Sequence, residues 1–171
     1  MGIPYYKKSK TLNYKKYVFA IKKILKNYKS KIIFEPGRSI IGNTGVLISK
    51  VIYVKSSSKK SFIILDAGMN DLMRPALYGA EHEIIPEKKT NQFAGKTYEF
   101  VGPICESTDT FLKYKNFPFI KEGEYVTITN VGAYGSTLSS NYNTRPLASE
   151  IIVKKGKIKI IRKRQKIAEI I

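Results

Sequence analysis

The stretch YKKYVFAIKKILKNYKSKIIFEPGR, residues 14–38, decides how the chain is read. Its apolar residues fall at positions 14, 17, 18, 21, 24, 25 and 28, the stripe that an amphipathic helix turns toward a core, and Lys15, Lys16, Lys22, Lys23 and Lys26 lie off that stripe. Asn13 stands where an N-cap belongs. Ile32-Ile33-Phe34 then reads as a short buried strand, and Glu35-Pro36-Gly37-Arg38 as the polar turn leaving it. Helix, buried strand and turn make half of an α/β repeat, a unit that makes sense only when several copies pack side by side. Downstream the pattern changes. Val46–Lys55 alternates, Ser56–Lys60 is a polar turn, and Phe62–Leu65 pairs back as a hairpin. Further strands are expected at Tyr98–Val101, Tyr125–Asn130, Ser149–Val153 and Lys157–Arg162, the last alternating Lys and Ile as an exposed edge would. The expected fold class is α+β: the end of an α/β domain joined to a mainly β domain, with the boundary near residues 40–45.

The remaining sequence sets limits. A length of 171 residues suits one domain or one and a fraction, and 43% hydrophobic content is enough for a buried core. The longest apolar runs, such as Tyr17–Ile21, reach about five residues, far short of the roughly 18 a membrane span requires. Lys7, Lys8, Lys10, Lys15 and Lys16 interrupt any apolar core of a secretory signal, so a cytoplasmic product with no membrane partner is expected. Cys105 is the only cysteine, which excludes an intrachain disulfide and a Cys-only zinc site. The net charge of +18 invites a nucleic-acid reading, but the charge is uneven. Residues 1–65 carry 15 Lys+Arg against one acid, residues 66–150 are slightly acidic, and residues 151–171 are again basic. Of the 31 basic residues 26 are Lys, whereas base readout and bidentate phosphate contacts favour Arg. The excess is therefore read as solvated surface, with a possible use in attracting anionic substrates, and nucleic acid is disfavoured as a partner.

Four segments gather polar, Gly and Pro residues where a plain β domain would have simple turns. Glu35-Pro36-Gly37-Arg38 is either an ordinary Pro-Gly turn or a loop whose backbone approaches an anion between an acceptor and a fork donor. In the segment 66–79, Arg74 precedes Pro75, and Tyr78 follows four residues on. That pattern is a charged surface loop or a clamp for a carboxylate. His82, the only histidine, sits between Glu81 and Glu83 and reads mostly as a solvated imidazole; a metal site would need more ligands, so none is assigned. Cys105, in the segment 102–109, is a small buried hydrophobe or, flanked by acids, a protonated thiol suited to donating a proton rather than to nucleophilic attack. Gly132 and Gly135 flank Tyr134 and expose its hydroxyl, unless the segment is only a crossing loop.

Taken in order, EPGRS at 35–39, DAGMNDLMRPALYGAEH at 66–82, GPICESTD at 102–109 and GAYGSTLSSNYNTRP at 132–146 resemble the diaminopimelate decarboxylase family, pyridoxal-phosphate enzymes of the alanine-racemase-like barrel group that make L-lysine. The resemblance spans essentially residues 1–153. It implies that residues 1–43 are the last helix and strand of a (β/α)8 cofactor-binding barrel, and that residues 44–171 are a mainly antiparallel β C-terminal domain. It also implies pyridoxal 5'-phosphate as cofactor, bound by backbone at Gly37, by Glu35 at the pyridinium nitrogen, and by Arg38 and Tyr134. Arg38, Arg74, Tyr78, Glu106 and Tyr134 would bind an amino-acid substrate, and Cys105 would protonate the carbanion left by CO2. Related ornithine and arginine decarboxylases carry Cys-Asp where this chain has Cys105-Glu106, which argues for the diaminopimelate branch over those relatives. The family works as a homodimer with shared active sites. Its Schiff-base lysine lies on an early barrel strand that nothing here matches, although Met1-Gly2-Ile3-Pro4-Tyr5 resembles the tail of its glycine-rich loop. The chain alone is accordingly expected to be inactive, with a separate N-terminal half as one possible partner. An inert fragment and a basic polyanion-binding protein are the competing readings.

Overall fold

A computed structural model describes residues 2–5 and 11–171, so Met1 and the lysines at 7, 8 and 10 lie outside the described residues. The first element is α1 (Tyr14–Ile24), and Asn13 caps it as expected, its side chain accepting from the Lys16 N–H at 3.0 Å. Lys22 and Lys23 fall in the last turn, where a cation suits the carbonyl end of a helix. The helix stops four residues short of the expected Tyr28, and none of its residues is buried.

The expected strand at residues 32–34 does not form. Ile32, Ile33 and Phe34 are exposed, and the ring contact there among the described residues is Phe34 edge-on to Tyr17 at 6.5 Å. A parallel barrel strand needs neighbouring strands to take its backbone hydrogen bonds, and no described strand lies beside this segment. A short helix, α2 (Arg38–Ile41), follows directly.

From here the hairpin reading holds. Strands β1 (Leu47–Ser56) and β2 (Lys60–Leu65) pair antiparallel, Ser56 opposite Ser61 and Val54 opposite Ile63, with a bulge between Val51 and Tyr53. The chain then passes through α3 (Arg74–Tyr78) and β3 (Ile84–Pro86) before β4 (Thr97–Val101), β5 (Thr110–Lys115) and β6 (Tyr125–Ile128). These strands form one six-stranded sheet in the order β3-β6-β1-β2-β4-β5, antiparallel throughout except for the parallel pair β2 and β4. Strands β7 (Glu150–Lys154) and β8 (Lys157–Arg162) make a separate hairpin with exposed Ile and Val. The short β3 and β5, and α3, are absent from the sequence reading.

Val51, Ile63, Leu65, Phe100, Val126 and Ile128 are fully buried, so the core lies on one face of the middle strands. Phe117 closes it, with its ring 4.8 Å from Phe100 and 5.0 Å from Tyr114. Such aromatic pairs add to what burial alone contributes. Buried Glu99 faces Lys60 and Lys113 across the sheet. Among the described residues no helix is long and apolar enough to cross a membrane.

Candidate active site

The loops at one end of this sheet carry the candidate residues, and glycines let two of them touch. The Gly132 N–H donates to Gly42 O at 3.0 Å and the Val131 N–H to Gly45 O at 3.0 Å. A Cβ on Gly45 would lie 2.6 Å from Gly132 Cα, and one on Gly132 would collide with the Ile41 carbonyl, so both positions require glycine. This backbone-to-backbone contact brings the end of α2, whose first residue is Arg38, against the turn that presents Tyr134. Tyr134 itself holds a left-handed backbone at φ 66°, which a tyrosine rarely adopts, and its side chain is half exposed.

Arg74 opens α3, with Pro75 in its first turn, and Gly79 at φ 61° ends the helix. The Arg74 side chain is 7% exposed, yet it points into a nest of rings. Its guanidinium carbon lies 4.9 Å from the Tyr5 ring centre and 5.5 Å from those of Tyr78 and Tyr134. The Arg38 guanidinium approaches the same Tyr5 ring at 5.7 Å. Cation–π attraction of this kind orients a guanidinium without consuming its N–H donors. Among the described residues Arg74 has no carboxylate partner, and its Nε finds no acceptor.

His82 is 2% exposed, which corrects the solvated reading. Its Nδ1–H donates to Thr129 O at 2.9 Å, because a carbonyl can only accept. The ring stands edge-on to Tyr5 at 4.7 Å. Burial lowers its pKa, the Thr129 bond acts in the opposite direction, and Arg74 lowers it further, so the imidazole is neutral. The physical reason is pairing: the Thr129 N–H donates to Glu83 O at 2.9 Å and the Glu83 N–H to Tyr5 O at 3.3 Å, which sandwiches His82 under residues 2–5. Asn130 Nδ2 fastens that segment by donating to Pro4 O at 3.3 Å and Tyr5 O at 3.2 Å. An open hollow of about 430 Å³ adjoins it, lined in part by Gly2, Pro4, Ser39, Asn43, Glu83 and Asn130.

The structure thus brings together Arg38, Arg74, Tyr78 and Tyr134 and adds Tyr5 and His82. Sequence reasoning assigned no role to Tyr5. Burial of His82 was signalled by the alternation of Ala80, His82 and Ile84, but the flanking acids masked it. Glu35 and Gly37 lie exposed before α2, and the side of Gly37 where a Cβ would stand is open. Cys105 and Glu106 lie exposed on the β4–β5 loop; among the described residues no hydrogen bond, ion pair or ring contact joins them to the arginine cluster. Arg145, on the loop after Tyr134, serves as a tie: it donates to Asp66 O, reaches Asn70 Oδ1 at 3.0 Å and faces Asp71 at 3.7 Å. No described group of three or more His, Cys, Asp or Glu side chains could hold a metal ion.

Comparison with known proteins gives this arrangement a context. The model of the family described as "Pyridoxal-dependent decarboxylase, C-terminal sheet domain" matches residues 11–132. Diaminopimelate decarboxylase of Aquifex aeolicus is 48% identical over 145 residues, which is 85% of this chain and 34% of the relative. That of Zymomonas mobilis is 45% identical over 152 residues, 88% of this chain and 35% of the relative. Among solved structures, diaminopimelate decarboxylase from Helicobacter pylori complexed with L-lysine superposes with a TM-score of 0.86 at 40% identity, covering 98% of this chain and 42% of that one. The enzyme from M. jannaschii in co-complex with L-lysine gives 0.87 at 35% identity, over 98% and 40%. The chain therefore spans about a third to two fifths of the length of these relatives.

Proposed function

We infer the function from kinship, because the chain belongs to the family of pyridoxal-dependent decarboxylases through its C-terminal sheet domain. The activity proposed is the decarboxylation of meso-diaminopimelate to L-lysine, to which this chain contributes the substrate-facing C-terminal portion. The observation that supports it most directly is Arg74: a buried guanidinium, without a carboxylate partner among the described residues, that faces three tyrosine rings, one of them, Tyr5, also met by Arg38.

A guanidinium buried in this way leaves desolvated N–H donors that a carboxylate would satisfy through a forked, charge-assisted pair. The residues present therefore fit a ligand with anionic groups, as both an amino-dicarboxylate and a pyridoxal phosphate are. Arg74 and Tyr78 would hold the distal carboxylate, and Glu106 the distal ammonium. Arg38 and Tyr134 would touch substrate and cofactor together, with Gly37 backbone at the phosphate and Glu35 at the ring nitrogen. The cofactor, when bound, supplies the conjugated electron sink into which the pair left on the α-carbon spreads as CO2 departs. Binding substrate and transition state equally would not lower the barrier, so the residues that matter are those acting as that charge develops. Cys105 would give its thiol proton to the α-carbon and recover one from solvent, to which it is open. Residues 1–43 would complete the barrel that holds the cofactor lysine, residues 44–171 would form the sheet domain, and a homodimer in the cytoplasm would bring the exposed Cys105 loop to the partner's site.

The test joins this chain to the N-terminal portion of the Aquifex aeolicus relative and follows CO2 release from meso-diaminopimelate in the presence of pyridoxal phosphate. Turnover of that substrate in preference to ornithine and arginine, lost in an Arg74→Met variant, is the expected result. Preference for arginine or ornithine, or an Arg74→Met variant with unchanged KM, would overturn the reading.

A further inference from the structure

The loop that carries Cys105 is fastened to the segment before Arg74 chiefly through one carboxylate, beside which the Thr108 hydroxyl approaches Met69 Sδ at 3.7 Å and Ile104 packs against Gly68. Asp109 closes this loop and is 3% exposed. Its Oδ2 accepts the Ile104 N–H at 2.8 Å, at the residue just before Cys105, and its Oδ1 accepts the Met69 N–H at 2.7 Å, in the loop that leads into Arg74. The Gly102 N–H donates to Asp109 O at 2.9 Å, and a Cβ on Gly102 would collide with the Asp109 carboxylate, so the chain closes on that group from both sides. Inside the loop short turns act: the Glu106 N–H reaches Ile104 O at 2.8 Å, the Asp109 N–H reaches Glu106 O at 3.0 Å, and the Ser107 hydroxyl donates to Glu106 Oε1 at 3.2 Å.

We propose that Asp109 is a positioning residue that locks the Cys105 loop to the Arg74 loop, so that the proton-donating thiol and the carboxylate-binding arginine are set by one shared anchor. The functional half of this statement rests on the reading of Cys105 as proton donor; the mechanical half does not. A carboxylate suits the task because it has two acceptor oxygens and no hydrogen, and each oxygen engages an N–H of a different loop. Burial raises the pKa of Asp109, and the bonds from Ile104 and Met69 oppose that shift. An asparagine of the same shape has only one acceptor oxygen, so it would release one of the two loops and leave an N–H unpaired.

Cys105 is the only cysteine of the sequence, so a trifluoromethyl tag on it reports this loop alone. The tagged chain is expected to show one fluorine resonance. In Asp109→Asn the resonance should broaden or split, and amide exchange at Ile104 or Met69 should quicken about tenfold or more, as loss of a buried partner dictates. Glu124→Gln is the control, since Glu124 accepts from the Lys121 N–H at 2.9 Å and pairs with Lys88, away from both the Cys105 loop and residues 66–71; its fluorine line should stay as in wild type. If Asp109→Asn does not fold, Gly102→Ala perturbs the same anchor from the opposite side. In the joined enzyme described above, Asp109→Asn should lower kcat about tenfold or more with KM little changed, the signature of a misplaced reacting group. An unsplit resonance with wild-type exchange overturns the proposal, as does equal broadening in Glu124→Gln. Unchanged kcat in Cys105→Ala would instead remove the donor reading, while the fluorine result still decides the anchor.

Discussion

His82 offers a quantitative test of the buried cluster, because its charge can be changed without altering the sequence. Burial holds its pKa below the ordinary 6.5, aided by Arg74 and opposed by the Thr129 bond. A depressed folded pKa contributes stability that is fully present above the unfolded value and is lost as pH falls toward the folded one. Each proton taken up only by the unfolded chain costs at most about 1.4 kcal/mol per pH unit. Between about pH 7 and 5.5 an unfolded histidine gains most of one proton, so the loss amounts to at most about 1.2 kcal/mol while His82 stays neutral. In His82→Asn the side chain can still donate toward Thr129 but cannot titrate. The variant should be less stable at neutral pH, because a buried ring is gone, and the gap should narrow by up to that amount as pH drops to 5.5. Urea unfolding followed by circular dichroism gives both curves, the chain having no tryptophan for fluorescence. The titrations of Asp71 and Asp109 occur in both proteins and cancel in the difference. Parallel curves over this range would refute the claim that His82 is buried and neutral beside Arg74.

Three further outcomes follow from the packing and the buried charges. Gly132→Ala should destabilise the chain by about 1–3 kcal/mol, because its new methyl has only backbone to displace, and thermal melting would show it. Phe100→Ala, which removes a fully buried ring packed between Tyr114 and Phe117, should cost about 3–5 kcal/mol in urea unfolding. The pKa of Asp71 is raised, chiefly by burial and against the Gly68 bond and Arg145. The stability it contributes is therefore fully present below 3.8 and is lost as pH rises through its folded value, so Asp71→Asn should improve relative to wild type on going from acid to neutral pH in the same unfolding series.

Much of the fold was legible where a local pattern decides the outcome. The stripe at 14–28 and the Asn13 cap point to a helix without tertiary help, one that forms over 14–24, and the alternation of β1 and β2 around a polar turn specifies a hairpin. The failures lie where burial depends on partners elsewhere. Ile32-Ile33-Phe34 has the composition of an interior strand, but a strand exists only by pairing, and none of the described strands pairs with it. β3 escaped notice because its three residues end in a proline and its pairing to β6 is a tertiary event. β5 carries Lys113 and Lys115 beside Phe111, and its identity as a strand comes from β4 alongside it. Arg74 and Tyr134 could be singled out from the Gly and Pro around them. That Arg74 lies against both Tyr5 and Tyr134 could not, because the interval between residues 5 and 134 is closed only by the folded backbone.

The four motifs are longer than the residues proposed to bind a ligand, and the structure explains the surplus. Each couples a proposed site residue to a fastener. Arg38 is followed by Gly42, whose carbonyl takes the Gly132 N–H, and Tyr134 stands beside that same Gly132. Cys105 is paired with Asp109, which grips Met69; Arg74 follows a turn in which Asn70 accepts from the Ser140 N–H at 2.9 Å and from Arg145. The segment 66–71 is thus bound by the Cys105 loop on one side and by the loop after Tyr134 on the other. Strand β1 joins it as well, where Ser49 donates to the Asp66 carboxylate and the Lys50 N–H donates to it at 2.9 Å. A substitution in any one fastener should consequently displace two motifs together, whereas loss of a proposed binding side chain should leave its neighbours in place. Double-mutant cycles between Asp109 and Arg145, both anchored on 66–71 yet on different loops, should therefore show coupling, and Tyr78 with Cys105, which share no fastener, should not.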